Sequence, residues 1–419
     1  NVTFVSSLNS IGNGAWDVSA QQDKSIRAWY TFRSIDGLDE EDEEKNIYTV
    51  YIGSNDEIYA NMDSTYLFGK LGYSSKCKAT EVISNIELLN TSQVTIMEEM
   101  FSGCGMATMT ELNLGTKFYT NNVTNMSYMF YEAGKEAMTI LNLGDNFDTS
   151  NVTNMHGMFG ELGTKEMTSL DLKEKFNTSR VTNMEHMFRN CGREKMATLN
   201  LGDKFYTSEV TDMSGMFLNC GYTKMTELNL GKNFNTSKVT NMYGMFSGCG
   251  YTSMTSLDLG ANFYTSEVTN MQQMFNLCGY TAMTTLNLGL NFNTSKVTNM
   301  YAMFAYCGNQ SMETLNLGTQ FNTENVENMT AMFGATGEVK MKSLDLGTQF
   351  NTKNVKYMSY MFSDCGRYSM ETLNLGTNFN TSKVLSTLGM FNRTGQYKMT
   401  SLNLGKLFYT SNVIDMSIM

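Results

Sequence analysis

The sequence is short of the residues that chemistry uses. Its 419 residues contain two histidines, His156 and His186, and no proline. Both histidines stand at variable places in a repeated motif, with no fixed carboxylate or nucleophile beside them, so neither has the company a catalytic group needs. The 8 cysteines include no C-x-x-C pair, which removes zinc sites of the usual spacing. Glycine-rich phosphate loops are absent. No apolar run reaches the ~18 residues of a membrane span. The formal net charge of -11 argues against nucleic acid or an anionic membrane as the main partner, because both attract basic surfaces. The expectation is a protein that is not an enzyme, with no cofactor, no metal and no catalytic residue.

What is present is a repeat. The step Leu-x-Leu starts at Leu112 and returns every 29 residues as far as Leu402, eleven units without an insertion. A partial unit precedes them, with Ile83, Leu89 and Val94 in register. Such a period is the signature of a solenoid, which lengthens without enlarging its core. Two regions are expected: an N-terminal β cap over residues 1–60 and a repeat array over 61–419. The chain stops at Met419 inside a motif that elsewhere continues as Met-Phe, so the array is expected to be incomplete at its C-terminal end. The cap contains both tryptophans, Trp16 and Trp29, and the strand-like runs "SIRAWYTF" and "NIYTVYIG". The segment "SNDEIYANM" after the second run predicts a hairpin. Asp36 to Glu44, "DGLDEEDEE", lacks the order of a calcium loop and reads as a solvated acidic loop.

The unit Met225 to Gly250, "MTELNLGKNFNTSKVTNMYGMFSGCG", shows the internal logic. Its first half, M-x-x-L-x-L-x-x-N, matches the leucine-rich-repeat template with Met in first place. Leu228 and Leu230 alternate as a strand with one buried face requires. In the second half Ser237 takes the place of a helix N-cap. Val239, Met242, Met245, Phe246 and Cys249 follow at intervals of three and four, and Gly250 takes the place of a C-cap. The predicted fold is an α/β solenoid: a leucine-rich-repeat-like array with a parallel β-sheet on one face and short helices on the other. Eleven strands at ~4.8 Å each would give a sheet roughly 50 Å long.

Columns of the repeat carry the remaining information. All of the 36 methionines except Met62 and Met106 fall in three columns, which fits flexible core filling better than copper binding. Seven cysteines, from Cys104 to Cys365, share one column with Ala133, Leu162, Thr336 and Thr394, so buried thiols are expected. Disulfides between neighbouring rungs are the alternative, with Cys77 as a partner for Cys104. Between the two leucines stands Asn or Asp in every unit, including Asn229, Asp258 and Asn287. That column reads either as a ladder of side-chain amides or as a binding face. The turn after Cys-Gly varies instead, with Tyr222, Tyr251 and Tyr280 in consecutive units. Tyrosine there offers contact area at low entropy cost, or packs flat against neighbouring turns.

The stretch "FNTSKVTNMYGMFSGCG", residues 234–250, resembles the repeat of BspA-like leucine-rich-repeat bacterial surface proteins, and the resemblance covers about residues 60 to 419. "WDVS" at Trp16 to Ser19 and "YLFG" at Tyr66 to Gly69 resemble the lead-in segment of such proteins. This implies an extracellular, cell-surface location and a role in adhesion or recognition without enzymatic activity. The period is longer than the family's common unit, and proline is missing. The leading expectation is a module that binds an extracellular protein, on a host or a neighbouring cell, through an extended scaffold. The alternatives are a structural surface fibre that self-associates and a glycan-binding module. Tyr222, Tyr251, Tyr280, Asn229, Asp258 and Asn287 are the candidate binding residues.

Overall fold

Each 29-residue unit bends three times, most often at an asparagine or aspartate. In the unit above, Asn229 Oδ1 accepts the Gly231 amide at 2.9 Å, Asn235 Oδ1 accepts the Ser237 amide at 2.9 Å, and Asn241 Oδ1 accepts the Tyr243 amide at 3.2 Å. An Asx turn of this kind lets a side chain imitate the backbone carbonyl that closes an ordinary turn. Gly231 sits at φ +77°, in the left-handed region that glycine enters without steric cost. In the computed structural model, which describes residues 1–9, 11–12, 14–34, 46–74 and 80–419, these bends coil the chain into stacked rungs.

The stretch expected to be helical is a run of tight turns. Met245, Ser247 and Cys249 donate their amides to the carbonyls of Met242, Gly244 and Phe246, three residues back. The alternate amides of Met242, Gly244, Phe246 and Gly248 leave the rung and reach the carbonyls of Asn270, Gln272, Met274 and Asn276 in the next one. An α-helix keeps all of these bonds within itself, four residues apart. Gly244, Gly248 and Gly250 lie at φ +57°, +63° and +52°, which no helix interior allows. Ser237 therefore caps nothing; its amide is the donor in an Asx turn. The expected α/β solenoid with a helical face is corrected to a β-solenoid of about 11 turns. Among the described residues the one helical element is a 3-10 turn at Ile86–Leu88.

The continuous sheet also moves. From residue 111 onward the strands are three residues long and pair in couples: Glu111–Asn113 with Ile140–Asn142, Ser169–Asp171 with Thr198–Asn200, Ser256–Asp258 with Thr285–Asn287, and Ser343–Asp345 with Thr372–Asn374, with one added bridge from Thr314 to Ser343. The unbroken pairing lies instead at the Asn241 column, where parallel bridges run rung to rung from Asp63–Ile96 to Ser386–Asp415.

The predicted apolar columns are the core. Leu228, Leu230, Phe234, Val239, Met242, Met245, Phe246, Cys249 and Met254 are all buried. Phe246 lies parallel to Phe217 and Phe275, with centroids 5.6 and 5.7 Å away. Phe234 stacks on Phe205 and Phe263 at 6.3 and 6.2 Å. Between these columns runs a buried line of threonines. The Thr236 hydroxyl donates to the Tyr264 carbonyl of the next rung at 2.6 Å, and the equivalent bond recurs from Thr91 to Thr381. A buried carbonyl needs such a partner, which is why the motif keeps Thr there.

At the N-terminus, β1 (Val2–Val5), β2 (Trp16–Asp17), β3 (Ile26–Ser34), β4 (Asn46–Ser54) and β6 (Ile83–Ser84) form one sheet in the order β2-β3-β4-β1-β6. β3 and β4 are the two runs anticipated from the sequence, paired antiparallel. The predicted hairpin after β4 is not made: β5 (Ile58–Tyr59) pairs parallel with Leu89–Asn90. Trp29 is buried and stacks on Tyr51 at 5.5 Å, whereas Trp16 is exposed. The acidic run 36–44 and Cys77 lie outside the described residues.

Candidate functional site

The turn that follows Cys-Gly emerges at one edge of every rung. Because units repeat without insertion, its side chains stand directly above one another. The rings of Tyr222 and Tyr251 lie 4.4 Å apart, and those of Tyr251 and Tyr280 4.7 Å apart, within 6° of parallel. All three are half-buried. The Arg193 guanidinium caps the stack 4.6 Å from the Tyr222 centroid, where a cation meets the negative ring face. Tyr306 leans on Tyr280 at the other end, 6.4 Å away. Burial pushes the Tyr251 phenol up, and its two tyrosine neighbours add to the effect.

The same edge changes character along the array. Asn309 Nδ2 donates to Glu338 at 2.9 Å, Arg367 Nε donates to Gln396 at 2.9 Å, and the Arg367 guanidinium lies 5.0 Å from the ring of Tyr368, which stacks on Tyr397. The edge is thus a stripe of stacked, unlike side chains beside core columns that hardly vary.

Asp258 and Asn287 end short strands and Asn229 holds the equivalent place in a rung without one; all three are exposed. Asn287 Nδ2 donates to Asp258 Oδ1 at 3.0 Å, and the same bond joins Asn200 to Asp171 and Asn374 to Asp345, both at 3.1 Å. The amides of Gly260 and Gly289 donate back to Asp258 and Asn287 at 2.9 and 3.1 Å. The column therefore forms its rung-to-rung bond where Asn follows Asp, and it turns the chain in every unit. The two candidate groups are not brought together in one site.

The described cysteines of the column from Cys191 to Cys365 are buried free thiols. Burial raises the thiols of Cys249, Cys307 and Cys365 to about 12, so they stay protonated and inert.

One cluster escaped the sequence reading. His156 and Glu185 are equivalent residues of adjacent rungs, and His186 is the next residue. His156 Nδ1 lies 3.5 Å from one Glu185 oxygen and His186 Nδ1 3.8 Å from the other. The imidazole centroids are 6.0 Å apart, and the Tyr128 hydroxyl sits 2.8 Å from His156 Nε2. Burial holds His186 below its ordinary value, against the opposing pull of the Glu185 carboxylate. The available signal was the period itself: 156 and 185 differ by one unit, so the fixed carboxylate sought beside the histidine in sequence stands above it in space.

A family model described as "Mycoplasma protein of unknown function, DUF285" matches residues 106–224, 192–315, 251–342 and 309–419. Together these matches cover residues 106–419, well over half of the chain, and they start two or three repeat units apart to within a residue. No curated protein and no solved structure matches the chain significantly.

Proposed function

The chain belongs to this DUF285 family, and from that premise we propose that it is a non-enzymatic recognition module of the cell surface, of BspA-like type, which binds an extracellular protein through its turn edge. The observation that carries the reading is the contrast between columns. Core positions repeat nearly unchanged, while the edge from Arg193 to Gln396 passes from a cationic cap through three stacked tyrosines to a polar and charged run whose side chains also pair between rungs. Recognition of a particular partner needs such variation on a rigid support, because pre-ordered side chains lose little entropy on binding.

A protein suits the tyrosine stack better than a sugar. Both faces of Tyr251 are covered by its neighbours at 4.4 and 4.7 Å, so no face is left for a pyranose ring to lie on. Ring edges and hydroxyl groups remain, as used in tyrosine-rich paratopes.

The test replaces Tyr222, Tyr251 and Tyr280 together by Ser and measures binding to whole cells and to purified matrix proteins. The expected result is a loss of binding, since aromatic anchors commonly contribute more than ~1 kcal/mol each. Unchanged binding by the triple variant, with loss on replacing Asn229, Asp258 and Asn287 by Ala, would move the site to the strand face. A glycan array and light scattering on the same protein separate the lectin and fibre alternatives.

A further inference from the structure

We propose that His156, Glu185 and His186 form a binding site for a divalent transition-metal ion of the zinc class. They include both histidines of a 419-residue chain, brought together by the stacking of two rungs. Each offers one ligand atom, and the three atoms lie within 4.8 Å of one another. No other such group of His, Cys, Asp or Glu side chains occurs among the described residues.

The distances approach those a metal requires. Zinc bonds of ~2.0–2.2 Å to nitrogen and oxygen place neighbouring ligand atoms of a tetrahedron about 3.3–3.5 Å apart. His156 Nδ1 already stands 3.5 Å from one Glu185 oxygen and His186 Nδ1 3.8 Å from the other, and one ligand atom from each of the three residues lies within 4.8 Å of the other two. Closing to bonding distances asks for rotations of the two partly exposed rings and the carboxylate. Two imidazoles with one carboxylate favour zinc, nickel and copper over magnesium or calcium, which prefer all-oxygen shells.

The surroundings fit a ligand set. Metal-bound histidines nearly always hydrogen-bond through their second ring nitrogen, which fixes the tautomer. At His156 that role falls to Tyr128, whose oxygen can accept from Nε2–H at 2.8 Å and leave the Nδ1 lone pair aimed at Glu185. Without a cation or a proton, that lone pair and the carboxylate would repel. Space for the rings comes from glycines in adjoining rungs: a Cβ on Gly157 would meet the Tyr128 ring at 2.5 Å, and one on Gly215 would meet His186 at 2.3 Å.

Calorimetric titration of the intact chain with Zn²⁺ tests the site. The expected result is one saturable equivalent, displaced by Ni²⁺ or Cu²⁺ and untouched by excess Mg²⁺ or Ca²⁺. Tyr128→Phe should weaken binding about tenfold; His156→Ala, His186→Ala and Glu185→Gln should each weaken it further. Co²⁺ absorption in the wild type should show a four- or five-coordinate spectrum that His186→Ala loses. His186→Gln, with a side chain of similar reach, serves where truncation disturbs the rung, and melting without metal verifies each fold. Absence of a one-to-one isotherm, Zn²⁺ binding unaltered in both folded histidine variants, or displacement by Ca²⁺ would each overturn the proposal and leave a histidine–carboxylate contact only.

Discussion

In the cap, β3 and β4 pair along nine residues each, whereas among the described residues of the array no strand exceeds three residues. Yet the array buries its apolar columns more completely than the cap does: Val239, Met242, Met245 and Phe246 are fully buried, while Trp16, Tyr30 and Tyr48 of the cap are exposed. The two regions draw order from different directions. Cap strands hold one another through long ladders of backbone bonds. A rung of the array holds its neighbours through alternate backbone amides and through side chains about one period away, ring on ring and hydroxyl on carbonyl. Stability of this second kind is a sum of nearest-neighbour interfaces. Because both tryptophans lie in the cap, their fluorescence reports the cap alone, and the two regions can be followed separately.

The largest break in this comparison is Phe246→Asp. The side chain is fully buried between Phe217 and Phe275, and a carboxylate there has no partner, at a cost of several kcal/mol. Limited proteolysis should cut between residues 240 and 260, while tryptophan fluorescence of the cap keeps its folded value. Joint loss of both signals would mean that cap and array unfold as one unit.

Alkaline pH should weaken the array next. The thiols of Cys249, Cys307 and Cys365 are raised from an ordinary value near 9 to about 12, so the folded state holds protons that the unfolded chain releases. The stability they contribute is full below pH ~8.5 and is lost progressively as pH rises toward 12. Denaturation midpoints measured from pH 7 to 11 should fall, and Cys249→Ala should flatten the slope. The same thiols should alkylate only after unfolding.

Thr236→Val tests a single vertical bond at nearly constant volume. The carbonyl of Tyr264 loses its 2.6 Å donor, the hydroxyl of buried Thr236, which costs about 1–3 kcal/mol when no water replaces it. Chemical denaturation followed by far-UV circular dichroism should register that loss, with the tryptophan signal unmoved.

What could be read from the sequence divides along the same line. Columns that point inward were legible, because Leu228, Phe234 and Met242 recur at an exact period and no other arrangement buries them all. The helix was misread because spacings of three and four belong equally to an α-helix and to successive turns closed three residues back. The distinguishing signs were present at Gly244, Gly248 and Gly250, three left-handed positions within seven residues, and in Asn two residues ahead of each turn's closing amide. The threonine line carries no apolar signal, so a search for periodic hydrophobic residues passes over it. The metal cluster was hidden for another reason: His156 and Glu185 become neighbours only when the chain is written in columns of 29.

The smallest effect is expected at Asp258, and it separates the two roles of the Asn/Asp column. If the column is chiefly a ladder between rungs, Asp258→Asn disturbs the 3.0 Å bond from Asn287 by replacing a charged acceptor with a neutral one. If the column chiefly turns each rung, the change is harmless, because Asn accepts the Gly260 amide as Asp does at 2.9 Å. The second role should dominate. The position is exposed, where such a bond contributes little, and Asn occupies the same place in adjacent units at Asn200 and Asn229, whereas the Gly amide is bound in both. Asp258→Asn should therefore alter stability by less than ~0.5 kcal/mol, as surface changes outside special features do. Asp258→Ala, which removes the turn acceptor, should cost about 1 kcal/mol. Equal losses from the two variants would make the column a ladder, and the strand face would then owe its order to the vertical stacking that governs the core.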